Sequence, residues 1–254
     1  MAATQKVALI TAGTAGLGAQ IARVLAPDYR VVINFANNAD RAASVLKELE
    51  AIPSTHTSPS QPRFHAVQGD VGNRDAINKL VDETVKTMGR LDVVVSNAGW
   101  TRITNFFNIE EQMEESDWDK CFLYNVKAHL WLAYASRNAL KESQGTFITT
   151  ASVAGVKPSG SSLPYAVTKA AAIHLTKSLA NIMAPDVRCN SVSPGLLLTE
   201  WGMKFSEEKR EKSRQNSKLK RLATVEDVAE QVRCLAKNNS MTGNNILLDG
   251  GLTL

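Results

Sequence analysis

Three observations predict an α/β protein built on a doubly wound parallel sheet. Short apolar runs rich in Val, Ile and Thr alternate with helical patterns from one end of the chain to the other. The first run passes through a glycine-rich turn into a helix and then a second strand, which is a βαβ unit. Right-handed crossovers between successive strands then put helices on both faces. The 254 residues, 44% of them hydrophobic, suffice for one domain spanning 1–254.

The elements follow in order. Residues 6–11 (KVALIT) form a continuous apolar run, as a strand buried on both faces requires. The turn Ala12-Gly13-Thr14-Ala15-Gly16-Leu17-Gly18 leads into a helix through about Leu25. Residues 30–35 read as the second strand and 40–51 as a helix. Residues 52–62 hold Pro53, Pro59 and Pro62 among Ser and Thr and read as a surface loop. Strands at 63–69 and 91–97 flank a helix at 74–88. A long helical pattern at 116–140 is apolar on most faces, which predicts packing on both sides. A strand at 145–151, a helix at 165–183 and a strand at 187–193 follow. Residues 200–220 are polar and helical, 226–237 form a helix, and 245–248 give a short last strand. The result is a Rossmann-type doubly wound parallel sheet of about seven strands, with its ligand beyond the carboxyl ends where strand order reverses.

Composition narrows the function classes. The net charge of +4 is too small to argue for nucleic acid, and no basic patch is interleaved with stacking aromatics. No apolar run approaches the roughly 20 residues of a membrane span. Cys121, Cys189 and Cys234 are odd in number and lack CxxC or Cys/His spacing, so neither a disulfide framework nor a metal site is expected. The N-terminus shows no signal-peptide core and the C-terminus no targeting tail, which predicts a cytoplasmic protein.

The chemistry concentrates in Ser152–Lys169. Ser152 closes a strand, and Tyr165 and Lys169 stand i and i+4 on one helical face. An ammonium beside a phenol is expected to lower the phenol pKa, and a nearby hydroxyl can hold a substrate oxygen while the phenol moves a proton. Gly13, Gly16 and Gly18 let backbone amides and a helix N-terminus approach a pyrophosphate. The end of the second strand, Asn34-Phe35-Ala36-Asn37-Asn38, has no acid to bond ribose hydroxyls, and Arg41 adds charge nearby, so NADP(H) is expected over NAD(H). Asp70, before Val71, could cap a turn or accept from an adenine amino group. Asn97-Ala98-Gly99 lets a ring lie against the backbone, and Asn97 can brace neighbouring strands. Asn125, inside an apolar helix, could hold water near Lys169 or be a satisfied core amide. Pro194-Gly195 and Thr199 could meet a carboxamide.

With these motifs in this order, and thirteen residues from Ser152 to Tyr165, the sequence resembles the short-chain dehydrogenase/reductase family over essentially its whole length. The resemblance implies a catalytic tetrad of Asn125, Ser152, Tyr165 and Lys169. It implies a dinucleotide site of Gly13, Thr14, Gly16, Leu17, Gly18, Phe35, Asn37, Asp70, Val71, Asn97, Ala98, Gly99, Tyr165, Lys169, Pro194, Gly195, Leu197 and Thr199. A homo-oligomer, dimer or tetramer, packed through the helices at 116–140 and 165–183 is also implied. Two departures stand out: Ala12 replaces the first glycine of the family turn, and Ser96 stands where the family often has a second Asn. The expected activity is hydride transfer between NADP(H) and a carbonyl or secondary alcohol, as in a carbonyl or 3-oxoacyl-type reductase. Alternatives are an NAD-dependent alcohol dehydrogenase, a dehydratase or epimerase on the same scaffold, or a non-catalytic nucleotide-binding regulatory protein. Substrate contacts are expected from loops 100–108, 153–164 and 196–220, the last as a lid. Trp100, Phe106, Phe107, Trp201, Met203 and Phe205 are candidate walls, and the eight Lys/Arg against three Glu in 204–221 could attract an anion.

Overall fold

The computed structural model describes residues 5–55 and 62–254. Part of the predicted 52–62 loop, residues 56–61, lies outside these. The strands are β1 (Val7–Ile10), β2 (Arg30–Phe35), β3 (Phe64–Gln68), β4 (Val93–Ser96), β5 (Thr146–Thr150), β6 (Arg188–Pro194) and β7 (Asn245–Leu248). They form one parallel sheet in the order β3-β2-β1-β4-β5-β6-β7, so the order reverses between β1 and β4. The switch point therefore lies between the glycine turn after β1 and the Asn97-Ala98-Gly99 segment after β4.

Alternation along each strand divides the core in two. Ala8, Ile10, Val31, Ile33, Val93, Val95 and Ile148 pack on one face. Beneath them lie α1 (Gly16–Leu25), α2 (Ala39–Glu50) and α8 (Val225–Lys237). Val7, Leu9, Val32, Val94 and Phe147 point the other way. They meet α3 (Arg74–Met88), α5 (Ala128–Ser143) and α6 (Leu163–Met183). Each strand side chain serves only the face its pleat gives it, which is why the runs read as continuously apolar.

Two helices differ from the sequence expectation. The 116–140 pattern is not one α-helix: α4 (Glu115–Phe122) passes through a π-turn at Leu123–Lys127 before α5 begins. Asn125 sits in that π-turn, fully buried, and its side-chain hydrogen bonds hold the bulge in place. On the single chain, Leu130 and Tyr134 of α5 are exposed. The polar 200–220 stretch is helical only over α7 (Glu207–Asn216), preceded by a 3₁₀ turn at Gly202–Lys204. Ser206 caps α7 by accepting from the Lys209 N–H, so the helix starts later than its polar composition suggests. Among the described residues no helix is long and apolar enough to cross a membrane.

Candidate active site

A cavity of about 1060 Å³ opens above the carboxyl ends of the central strands. Its floor includes Ala12, Thr14, Gly16, Leu17, Gly18, Asn97, Ala98, Gly99, Ser152, Tyr165 and Lys169. Pro194, Gly195, Leu197 and Thr199 line it as well. Four separate strand ends thus deliver the predicted residues to one space.

Local sequence explains the placement of the central three. Ser162 caps α6 by accepting from the Tyr165 N–H at 3.4 Å, and Pro164 fills the first turn. Tyr165 and Lys169 therefore lie in the first two turns of α6, facing the cavity. Ser152 lies two residues beyond β5 and accepts from the Ala154 N–H at 3.1 Å, which caps a 3₁₀ turn at Val153–Gly155. That turn rests on α6. A Cβ on Gly155 would sit 2.5 Å from the Lys169 carbonyl carbon, so only glycine permits the approach. Gly155 drew no attention in the sequence, since nothing local marks a glycine whose contact is with a distant helix.

Electrostatics in this trio depart from the sequence expectation. Lys169 is buried; its Nζ donates to the Thr150 carbonyl at 2.8 Å and stands 5.6 Å from the Tyr165 ring centroid. Burial pulls its pKa down to about 8. Lys169 does not depress the phenol. Loss of water pushes Tyr165 up to about 12, and the counteracting influence is the Ser152 hydroxyl. At neutral pH the phenol keeps its proton.

The side chain of Asn125 is hydrogen-bonded within the chain. Its Oδ1 accepts from the Trp100 N–H at 2.8 Å, and its Nδ2 donates to the Trp100 carbonyl and the Thr168 hydroxyl. Both N–H bonds are spent on these partners. The amide clamps Trp100 and thereby the segment after Gly99, whose missing Cβ would approach Asn125 Oδ1 at 3.0 Å.

Asn97 braces strands as expected. Its Nδ2 donates to the Thr11 carbonyl, its Oδ1 accepts from the Thr150 hydroxyl, and the Thr11 hydroxyl accepts from the Asn97 and Ala98 N–H groups. Thr11 was missed in the sequence, and Asn34 was read there only as part of the acid-free end of the second strand. The Asn34 Nδ2 donates to the Gly69 carbonyl at 2.9 Å and its backbone carbonyl accepts from the Gly13 N–H, tying β2, β3 and the glycine turn together. Ser96 pairs with His129 Nδ1 at 2.5 Å below the site, where burial holds the imidazole at about 3.

Several predicted contacts lie outside the cavity lining or hold structural contacts. Gly13 is absent from the cavity lining; a Cβ there would strike the Ile33 side chain at 2.8 Å, so it serves packing on β2. Asp70 caps its turn through the Gly72 N–H at 2.9 Å and accepts from the Tyr124 hydroxyl at 3.0 Å. Phe35, Asn37, Asp70 and Val71 stand at the ends of β2 and β3, beyond the lining of the cavity. Arg41 is paired with Glu200. Met203 faces away, in a shallow depression with Arg210 and Arg214.

The remaining predicted walls do meet. Trp100, Phe106, Phe107, Trp201 and Phe205 line the cavity. The Trp201 ring lies 5.9 Å from Tyr165 and 5.8 Å from Phe205. Buried Gln112 holds the upper loop: its Oε1 accepts from Thr104 and the Leu163 N–H, and its Nε2 donates to the Asn105 and Asn108 carbonyls. Lys209 Nζ donates to the Gly160 carbonyl at 2.8 Å, joining α7 to that same wall.

The residues fit a dinucleotide. Ala15, the N-cap of α1, offers no side-chain bond and the first turn has no acid, so the leading N–H groups of α1 remain available to a phosphate. Cβ atoms on Gly16 and Gly18 would fill the cradle, the latter meeting the Ala12 carbonyl oxygen at 2.2 Å. Ala12 itself adopts φ +50°, the left-handed region that glycine occupies without strain.

Comparison with known proteins agrees with this geometry. The family model described as short chain dehydrogenase matches residues 6–210. A protein of Streptomyces violaceoruber named as a ketoacyl reductase of the granaticin polyketide synthase is 35% identical over 252 residues, covering 98% of this chain and 96% of its own. The 3-oxoacyl-(acyl-carrier-protein) reductase FabG of Staphylococcus aureus is 31% identical over 252 residues, covering 97% and 98%. A solved short chain dehydrogenase from Burkholderia cenocepacia in complex with NADP superposes with a TM-score of 0.87 at 28% identity, covering 99% of each chain. A 3-ketoacyl-(acyl-carrier-protein) reductase from Brucella melitensis complexed with NADH gives 0.86 at 25% identity, covering 98% of each.

Proposed function

The chain belongs to the short-chain dehydrogenase/reductase family, and from that premise we propose that it is an NADPH-dependent reductase of ketones, including 3-oxoacyl-type substrates. The observation that carries this reading is the convergence of Ser152, Tyr165 and Lys169 on one cavity above the strand ends. At neutral pH the Tyr165 phenol carries the proton a reduced carbonyl takes up, and burial makes it a weaker acid than a free tyrosine. The lack of an acid at the end of β2 supports NADP(H) over NAD(H).

The bound nicotinamide would supply hydride to the carbonyl carbon. Ser152 orients the substrate by donating its hydroxyl hydrogen to the carbonyl oxygen. Tyr165 donates its proton to that oxygen as negative charge builds there. Lys169 is anchored by Thr150 and keeps two further N–H donors. These would hold the nicotinamide ribose. Gly16, Leu17, Gly18 and the α1 N-terminus would hold the pyrophosphate, and Ala98, Gly99, Pro194, Gly195, Leu197 and Thr199 the nicotinamide half. Asn125 acts by clamping Trp100. The adenosine half would extend over Phe35, Asn37, Asp70 and Val71, at the ends of β2 and β3.

Trp201, Phe205 and Phe106 favour an apolar or ring-bearing substrate, and the 196–220 segment serves as lid. Exposed Leu130, Tyr134, Val167 and Ile182 on α5 and α6 support a homo-oligomer packed through those helices. The test is Tyr165→Phe, assayed by NADPH consumption against a ketone panel and by fluorescence titration of NADPH. Turnover is expected to fall about 10²–10⁴-fold with cofactor binding retained. Retained turnover refutes the assignment.

A further inference from the structure

Arg41 and Glu200 form an ion pair, Nη1 to Oε2 at 3.1 Å, between segments far apart in sequence. Arg41 lies in the first turn of α2, where Asn38 Oδ1 accepts from its backbone N–H at 2.8 Å. It stands just beyond β2, whose end (residues 34–38) carries no charged side chain. Glu200 lies on the segment leaving β6 and lines the cavity. That segment crosses the glycine turn: a Cβ on Gly16 would meet Thr199 Cγ2 at 3.1 Å. The next residue is Trp201, whose ring covers the Tyr165 phenol. One strap thus runs from the glycine turn to the catalytic acid, and Arg41 holds it from the adenosine side.

Water reaches both partners, with 41% of the Arg41 side chain and 73% of the Glu200 side chain exposed. Such a pair is weak. A phosphate dianion, which accepts two guanidinium N–H bonds at once, displaces a single carboxylate oxygen from it. We propose that Glu200 is a specificity residue: it occupies Arg41 until the 2′-phosphate of NADP(H) takes its place, whereas NAD(H) leaves the pair closed. The exchange releases the strap that carries Trp201 over Tyr165, so the roof of the substrate site answers to the cofactor's phosphate. This rests on the NADP(H) reading above.

The test is equilibrium titration of NADPH and NADH into wild type, Arg41→Met, Glu200→Gln and the double variant, read by cofactor fluorescence without turnover. Arg41→Met is expected to weaken NADPH by about tenfold or more and to leave NADH unchanged. Glu200→Gln is expected to tighten NADPH by about two- to fivefold, again without effect on NADH, and to do nothing in the Arg41→Met background. Hydrogen exchange of residues 199–205 should rise in wild type with adenosine 2′,5′-bisphosphate but not with 5′-AMP. An NADPH-to-NADH affinity ratio unaltered by Glu200→Gln overturns the proposal. If wild type favours NADPH and only Arg41→Met matters, the exchange falls and the cofactor reading stands. If wild type favours NADH yet Glu200→Gln shifts the ratio toward NADPH, the exchange stands and the cofactor reading falls.

Discussion

Replacing Gly155 by Ala should disable the enzyme from a position outside the cavity lining. The added Cβ would lie 2.5 Å from the Lys169 carbonyl carbon, 2.6 Å from the Ala170 nitrogen and 2.7 Å from the Lys169 oxygen. Ordinary contact begins at 3.4 Å, so the methyl is about 0.9 Å too close. All three atoms are backbone of α6 and cannot rotate aside. The 3₁₀ turn must retreat, and Ser152 retreats with it because its hydroxyl accepts from the Ala154 N–H. Overpacking of this kind costs about 1–3 kcal/mol. For a chain of this size the melting temperature should fall by about 2–12 °C. If the Ser152 hydroxyl holds the substrate oxygen as proposed, its displacement by nearly 1 Å should cost about 10²-fold in kcat. The assay is kcat on a ketone with saturating NADPH, alongside thermal melting and NADPH titration, in Gly155→Ala, Ser152→Ala and the double variant. If the reasoning holds, Gly155→Ala adds little in the Ser152→Ala background and NADPH affinity is kept. A destabilised Gly155→Ala variant with kcat within about twofold of wild type would show that this contact does not place Ser152.

Stability should carry the signature of the buried pair. Folded Lys169 titrates near 8 against 10.5 for an ordinary lysine. Between those values the unfolded chain binds the extra proton, so stability rises with pH; Tyr165, raised from 10 to about 12, reverses the trend above pH 10. Urea unfolding from pH 7.5 to 9.5 should show wild type gaining on the order of 2 kcal/mol relative to Lys169→Met, and a parallel pair of curves would contradict the burial. At Ala12, φ +50° costs an L-residue about 1–2 kcal/mol, and a glycine gives back about 0.5–1 in backbone entropy. Ala12→Gly should therefore stabilise by about 0.5–1 kcal/mol and raise the melting temperature by a few degrees, whereas a drop would mean the methyl has packing worth more than the strain.

The chain by itself determined the sheet and where chemistry gathers on it. Val, Ile and Thr runs such as 6–11 and 91–97 must be strands, and the order of motifs brings Ser152, Tyr165 and Lys169 to one rim. Those signals are local: a β-branched run, a glycine turn, an i, i+4 pair. Tertiary structure decided what each side chain then does. Asn125 read as a water holder or a core amide, and its partners Trp100 and Thr168 approach from other segments. Arg41 looked available for a phosphate and is engaged by Glu200. Lys169 looked like the group that acidifies Tyr165, but burial acts on both and raises the phenol. Hydrogen-bond capacity and solvation are spent on neighbours distant in sequence, so only the packed chain reveals which polar atoms remain for substrate.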